Sequence, residues 1–382
     1  MFGHLNYHGQ WQKFKLRKVR MTASILPRRR YIQEQAAKGR RPVGVLPAQY
    51  PKEILWALDI LPVEIWDPPL EVSSAGAHLQ PYICSVVQGG LELILQGRAD
   101  QMEAFLFPHT CDSIQNLATV VNDYIGLDRP CYFFYHPKAP YRPSSHEYYY
   151  GQINGLAQRL APQFGPLDEA KLWSAVRQGA KVAELLRQLY MLRAQNNLRC
   201  SAVEFYELIR LGEYLHPDDF IPALEDFMAE RSGPGPDGPA VVLSGVLPNP
   251  VALLSALDEL GVRVGHDDLL ACSRRMLAPP AHDPDPLRQL AKAYFGLPPC
   301  STKNSPLGQR LEFLRVILDR SASRGVIFNL VKFCETELFD APQLIEALKS
   351  QGVPTLFMET ELNQGLSGQL ATRVEAFVEM LG

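Results

Sequence analysis

The sequence predicts two doubly wound α/β domains, each built on a parallel sheet, with a helical insert between them. Three observations predict this fold class. Strand-like and helix-like segments alternate over residues 42–150 and again over residues 240–382, and a helical pattern fills residues 151–231. Alternation of this kind is typical of parallel sheets with helical crossovers. A chain of 382 residues also exceeds what one hydrophobic core usually supports, so more than one domain is expected.

The first α/β domain is predicted over residues 42–150. Strand-like apolar runs occur at 43–46, 61–65, 104–107 and 131–135. Helix-like segments separate them at 54–58, at 86–95 and after Asp112. Strands connected in this way pair in parallel, as they do in Rossmann-like and flavodoxin-like folds.

The helical insert is predicted over residues 151–231, where apolar residues recur at helical spacing from Leu172 to Leu189. It ends in a linker at 232–239, whose Pro and Gly residues cannot continue a helix. The second α/β domain is then expected over 240–382. Its strand-like segments are 241–245, 262–264, 325–328 and 354–358.

Charge is unevenly distributed along the chain. The net charge is −3, yet residues 1–41 hold eleven Lys or Arg and one acid, Glu34, so this end carries +10 and the remainder −13. We interpret residues 1–41 as a basic N-terminal arm that is solvated, binds a partner or contacts an anionic small molecule. Nucleic acid is not expected, because no nucleic-acid motif accompanies the charge.

The overall composition is that of an ordinary folded protein, with 46% hydrophobic and 21% charged residues. No apolar run reaches the roughly 18 residues that a membrane helix needs, and the N-terminus lacks the pattern of a secretory signal. We therefore expect a cytoplasmic protein that does not enter the membrane.

Three of the seven cysteines lie where a strand is expected to give way to a helix: Cys84, Cys111 and Cys334. Open parallel sheets place their ligand sites at such strand ends, and a helix N-terminus favours the thiolate that iron or zinc requires. Each cysteine taken singly is equally well explained as a small buried residue. The gaps between them match no zinc-finger or ferredoxin spacing, so the spacing alone is a weak signal.

The other four cysteines carry less information. Cys131 lies within an aromatic strand and Cys200 lies beside a predicted helix cap, so we expect both to be buried structural residues. The roles of Cys272 and Cys300 stay open. Cys300 follows a Pro-Pro pair in a loop that could fold back toward the strand ends of the second domain.

Several motifs together resemble the family of 2-hydroxyacyl-CoA dehydratases and benzoyl-CoA reductases. The matching segments are spread over nearly the whole chain: Val43-Gly44, Pro51-Lys52-Glu53, Leu61-Pro62-Val63, Cys84-Ser85, Thr110-Cys111-Asp112-Ser113, Lys332-Phe333-Cys334, Leu338-Phe339-Asp340, Gly368 to Arg373, and Glu375-Ala376-Phe377. The length is similar to that of the smaller subunit in this family.

The resemblance implies a function. It implies that Cys84, Cys111 and Cys334 hold a 4Fe-4S cluster with one iron free of protein thiolate. It also implies a related larger iron-sulfur subunit, an ATP-hydrolysing iron-sulfur activator that supplies electrons, and an acyl-CoA substrate. A cluster of this kind serves as a low-potential electron donor and a possible Lewis acid.

Two further residues are candidates for handling protons. Glu53 should lie at the start of a helix near the first strand end, and His109 lies two residues before Cys111. Two other functions stay open beside the acyl-CoA enzyme subunit. One is an electron-transfer or double-cubane reductase of a small molecule, and the other is a non-catalytic scaffold that keeps the fold.

Overall fold

The computed structural model describes residues 26–382, which contain two parallel four-stranded sheets. The first sheet has the strand order β2-β1-β3-β4, with bounds β1 (Arg41–Val45), β2 (Ile60–Glu64), β3 (Ala104–Pro108) and β4 (Cys131–Phe134). The second has the order β6-β5-β7-β8, with bounds β5 (Ala240–Gly245), β6 (Arg263–Leu269), β7 (Ser323–Val331) and β8 (Thr355–Thr360). All neighbouring strands pair in parallel, so the predicted α/β fold class is confirmed.

The central strands are buried because helices cover both faces of each sheet. Every residue of the central strands β3 and β5 is buried, as expected for strands of a parallel sheet that read as continuous apolar runs, and every residue of the edge strand β2 is buried as well. In both sheets the strand order reverses beside a central strand, between β1 and β3 and between β5 and β7. Ligands of open α/β sheets bind outside the carboxyl ends of the strands at such a reversal.

Fourteen α-helices lie within the described residues 26–382. Their bounds are α1 (Arg28–Ala37), α2 (Lys52–Ala57), α3 (Ser85–Leu95), α4 (Asp112–Thr119), α5 (Pro143–Phe164), α6 (Glu169–Ala194), α7 (Ala202–Leu211), α8 (Pro217–Arg231), α9 (Val251–Glu259), α10 (Ser273–Met276), α11 (Pro286–Gly296), α12 (Leu307–Arg320), α13 (Glu335–Lys349) and α14 (Gly368–Glu379). A search of the same residues finds no helix with the length and apolarity that crossing a bilayer requires.

The helical insert corresponds to helices α5–α8, which stand between the two sheets in the chain. Helix α5 begins at Pro143, before the expected start at residue 151, because Pro143 occupies the first turn, where its missing N–H costs nothing. Residues 233–239 form neither helix nor strand and precede β5 directly. The domain boundaries themselves stay a prediction.

The described part of the basic arm packs against acidic residues of the same chain. Helix α1 brings the Tyr31 hydroxyl within 2.6 Å of Asp219 Oδ2, and Arg28 Nη1 lies 3.6 Å from Glu213 Oε2. Arg40 forms an ion pair with Asp218. The cluster Lys13–Lys18 lies outside the described residues. Part of the positive charge that we interpreted as binding a partner or an anionic molecule is therefore neutralised by acidic residues of the same chain.

A buried network of ion pairs joins three helices to the second sheet. Arg274 of α10 pairs with Asp268 of β6, Nε to Oδ1 at 2.5 Å, and with Glu337 of α13. Arg310 of α12 approaches both acids, at 3.2 Å from Asp268 and 3.3 Å from Glu337. Its other amino group lies 2.7 Å from Asp340. The side chains of the two arginines and of Asp268 and Glu337 are at most 2% exposed, so each charge depends on the others.

The Arg274→Met variant should lose about 3–5 kcal/mol of unfolding free energy, because it leaves two buried carboxylates short of a cation. Arg288→Met is the matched control, since Arg288 pairs with Glu147 at 2.8 Å on the exposed surface. That change should cost far less than Arg274→Met, because a solvated ion pair contributes little to stability. Urea denaturation measures both values, and equal losses would show that the network does not stabilise the fold.

Stability should also fall steeply in acid because of Glu337. Burial by itself raises the pKa of Glu337, but Arg274 and Arg310 outweigh it and lower the pKa from 4.5 to about 2. The stabilisation from this ionised carboxylate is therefore complete above about pH 4.5 and is lost as the pH falls toward 2. The Glu337→Gln variant should have a lower unfolding free energy at pH 7 than the parent, and it should lose less of that free energy between pH 4.5 and 2. Glu346→Gln, on the exposed side of the same helix, should keep the parent profile in thermal melts.

Candidate functional site

Three cysteines occupy the same position relative to a helix. Cys84, Cys111 and Cys334 are the residues that directly precede α3, α4 and α13. Free amides at the start of a helix and the positive end of its dipole favour a thiolate at this position. The amides of Val86 and Val87 indeed act to lower the pKa of Cys84.

Two of these cysteines follow strands at the reversal of strand order. Cys111 follows β3 in the first sheet, and Cys334 follows β7 in the second. Cys84 begins α3 after the long loop that follows β2. The carboxyl ends of strands at both reversals thus carry a cysteine, which is where this fold class binds ligands.

The three thiols influence one another electrostatically across the two sheets. Burial raises the pKa of Cys84 to about 12, and the charge of Cys111 adds to the shift. Burial also raises the pKa of Cys334 well above its ordinary value, with further contributions from Cys84, Glu337 and Cys111. Such contributions fall off with distance, so these shifts support the expectation that the three cysteines converge, which stays a prediction.

The chemistry of these residues determines which group they could hold. Over residues 26–382, no group of three or more His, Cys, Asp or Glu side chains is arranged to hold a metal ion. In a four-iron cluster each protein thiolate binds a separate iron, so its donors are cysteines that stand apart. Three cysteines, each directly before a helix, are donors of that type.

A lysine that the sequence did not reveal holds the loop before Cys111. The Lys138 ammonium donates to the carbonyls of His109, Thr110 and Thr302, at 3.2, 3.0 and 2.6 Å. Burial lowers the pKa of Lys138, and the charge of Cys111 opposes that shift, so the ammonium lies near the thiol. Lys138 follows β4, and a lone basic residue after a strand end is the signal that could have identified it.

His109 lies at the edge of the same site. Its Nε2 is 3.6 Å from Asp112 Oδ1, which is longer than a hydrogen bond, and its ring meets Tyr135 edge to face. Burial and the charge of Lys138 lower the pKa of His109, whereas Asp112 opposes the shift. The imidazole is therefore neutral near pH 7, and its proton-handling role stays a prediction.

Glu53 lies elsewhere, in the first turn of α2, where it lines a large cavity beside α6. Among the described residues, no hydrogen bond or ion pair joins Glu53 to the three cysteines. Burial raises the pKa of Glu53. The residue is half-buried rather than fully solvated as an ordinary helix-start charge would be.

The remaining cysteines are partly or fully buried, and their roles stay predictions. Cys131 lies in β4 and Cys200 is buried, and burial raises the pKa of each to about 11. Cys272 and Cys300 have no exposed surface. The sulfur of Cys300 lies 3.0 Å from Thr302 Oγ1, so Cys300 neighbours the segment that Lys138 holds.

The Lys138→Met variant should loosen the loop that carries Cys111, because three carbonyls lose their donor. The expected cost is about 1–3 kcal/mol of unfolding free energy. Lys303→Met is the matched control, since Lys303 is also buried but donates to the carbonyl of Leu297 at 3.1 Å. Hydrogen exchange should accelerate over residues 109–115 in the first variant and stay at the parent rate there in the second. Unchanged hydrogen exchange in Lys138→Met would contradict the role of Lys138 in holding the loop before Cys111.

Comparison with known proteins shows which family the chain belongs to. The family model described as 2-hydroxyglutaryl-CoA dehydratase, D-component, matches residues 47–381. The chain is 24% identical over 361 residues to the lactoyl-CoA dehydratase subunit beta of Anaerotignum propionicum, covering 93% of this chain and 96% of the relative.

Two further relatives carry different activities in their names. The (R)-2-hydroxyglutaryl-CoA dehydratase, subunit beta, of Acidaminococcus fermentans is 23% identical, with 90% of this chain and 93% of the relative covered. A subunit of the benzoyl-CoA reductase of Thauera aromatica is also 23% identical, with 91% of this chain and 92% of the relative covered. The chain therefore belongs to the 2-hydroxyglutaryl-CoA dehydratase D-component family, whose curated members include subunits of acyl-CoA dehydratases and reductases.

Proposed function

We propose that this chain is a 4Fe-4S cluster-binding subunit of a radical acyl-CoA enzyme, of the 2-hydroxyacyl-CoA dehydratase or benzoyl-CoA reductase type. The observation that carries the proposal is the position of Cys84, Cys111 and Cys334, each directly before a helix and two of them at the strand ends where the strand order reverses. Family membership supports it independently, because relatives of nearly equal length are subunits of such enzymes.

The cluster, when bound, would supply single electrons at low potential and one iron site free of protein thiolate. The chain's own contribution is to hold three largely buried thiolates. Helix amides favour the thiolates of Cys84 and Cys111, and the Lys138 ammonium adds positive charge beside Cys111. The Thr336 hydroxyl favours the thiolate of Cys334. His109, at the edge of this site, would hold or release a proton at its Nε2 atom.

A partner subunit is implied by the names of the relatives, each of which is one subunit of a larger enzyme. We propose that a related, larger iron-sulfur subunit pairs with this chain. An ATP-hydrolysing activator would deliver the electrons, and an acyl-CoA would be the substrate. These components operate in the cytoplasm under this proposal.

Iron and sulfide analysis after anaerobic purification tests the cluster directly. About four irons per chain are expected for one cubane. Replacing Cys84, Cys111 or Cys334 by Ser should reduce the iron content, because each removes one thiolate. About eight irons would favour a double-cubane reductase, and no iron would favour a scaffold.

Cys131→Ala and Cys200→Ala are the controls for this experiment. Both should retain the iron and lose about 1–2 kcal/mol of stability, because they remove small, largely buried side chains. Cys300→Ser should also retain the iron. Loss of the cluster in that variant would mean that Cys300 is a fourth ligand and that the chain is a fully ligated electron carrier.

A further inference from the structure

The contacts of Lys138 fix its charge as well as its position. Its Nζ atom lies within hydrogen-bond distance of three carbonyl oxygens, those of His109, Thr110 and Thr302. A neutral amine has two N–H donors, whereas an ammonium has three. Three acceptors that cannot themselves donate therefore select the ammonium form. Because Thr110 directly precedes Cys111, this positive charge lies beside the start of α4.

No acid neutralises the charge of Lys138. Within residues 26–382, its ammonium forms no ion pair with a carboxylate. Asp112 is the nearest acid in the chain, and its side chain is 87% exposed, so water screens its charge. The three carbonyls contribute only dipoles. A half-buried ammonium thus remains without a counter-charge.

Other cations around the cysteines do have counter-charges. The two arginines of the buried network behind α13 are balanced by the carboxylates that they share. Lys332 lies two residues before Cys334, but its Nζ is 3.4 Å from Glu361 Oε1 and its side chain is 46% exposed. Lys138 differs from these cations in being unpaired and half-buried.

An unpaired cation changes the redox behaviour of a cluster beside it. When a cluster accepts one electron it becomes more negative by one elementary charge, while its thiolate bonds to the protein are kept. A fixed positive charge nearby stabilises the reduced form more than the oxidised form and so raises the reduction potential. The effect is greater where protein rather than water surrounds the charge.

We propose that Lys138 raises the reduction potential of the cluster bound at Cys111, by holding one uncompensated positive charge beside that ligand. The inference rests on the proposed function, because it requires the cluster. It goes beyond the support that Lys138 gives to the loop, since the loop needs hydrogen-bond donors and the potential needs a charge. Substitutions that keep one property and remove the other can therefore separate the two roles.

Three substitutions at Lys138 make this separation. Lys138→Gln keeps N–H donors and removes the charge, Lys138→Met removes both, and Lys138→Arg keeps both. The full-length chain is purified anaerobically, its iron content is recorded, and it is titrated with dithionite while the electron paramagnetic resonance of the reduced cluster is followed. At the parent's midpoint potential, the ratio of reduced to oxidised cluster should fall at least threefold in Lys138→Gln and Lys138→Met. That fall is a shift of about 28 mV for a one-electron couple.

Lys138→Arg should stay within twofold of the parent ratio. A parent ratio in Lys138→Gln would overturn the proposal, and so would a fall in Lys138→Met alone, because the donors and not the charge would then be responsible. Loss of the iron from folded Lys138→Gln would also contradict it, since a residue that only tunes the potential is not needed for assembly. If Lys138→Gln folds poorly, Lys138→Met and Lys138→Arg still test the charge, and equal ratios in these two would refute it.

Lys332→Gln is the matched control, because it removes the same charge two residues from another proposed ligand. Its ratio should change less than twofold, since Glu361 and water already offset that charge. A fall equal to that of Lys138→Gln would contradict a special role for the half-buried ammonium.

The iron content separates this inference from the proposed function. A parent chain without iron refutes the cluster and the inference together. A parent chain with about four irons, whose potential does not respond to Lys138→Gln, refutes the inference and leaves the cluster proposal standing.

Discussion

The second sheet depends on a buried network of Arg274, Arg310, Asp268 and Glu337, in which no charge reaches water. Desolvated charges are tolerated only when each has its partners, so the network allows little freedom in how β6, α10, α12 and α13 pack. Cys334 directly precedes α13 and lies about one turn before Glu337. The ion pairs of Glu337 therefore help to fix the position of Cys334, a proposed cluster ligand.

A second polar contact connects the two halves of the chain at the site. Lys138 follows the first sheet, and it donates both to the loop before Cys111 and to the carbonyl of Thr302 in the second half. The Lys138 contacts support the loop before Cys111, whereas the buried network supports the start of α13, which Cys334 precedes. Together they support the segments that carry two of the three proposed ligands, as the proposed cluster would require.

The same region links the cysteine site to the cavity. The Thr302 hydroxyl donates to Gln49 Oε1 at 3.1 Å, and Gln49 lines the cavity. Lys138 donates to the Thr302 carbonyl, so two hydrogen bonds connect Gln49, through Thr302, to Lys138 beside Cys111.

The sequence by itself determined the fold class, because apolar runs and helical periodicity are local patterns that can be recognised without knowing how the elements pack. It also identified the helix-start positions of Cys84, Cys111 and Cys334, since a strand end followed by a helix is visible in the chain. It underestimated β6, where His266, Asp267 and Asp268 interrupt the apolar pattern of a strand.

Only the tertiary structure decided which polar groups meet. Arg274 and Glu337 are 63 residues apart, and Lys138 and Thr302 are 164 apart, so no local pattern predicts their contact. Pairing of buried charges and donors depends on three-dimensional proximity, and for that reason local periodicity reveals the elements but not the site they build.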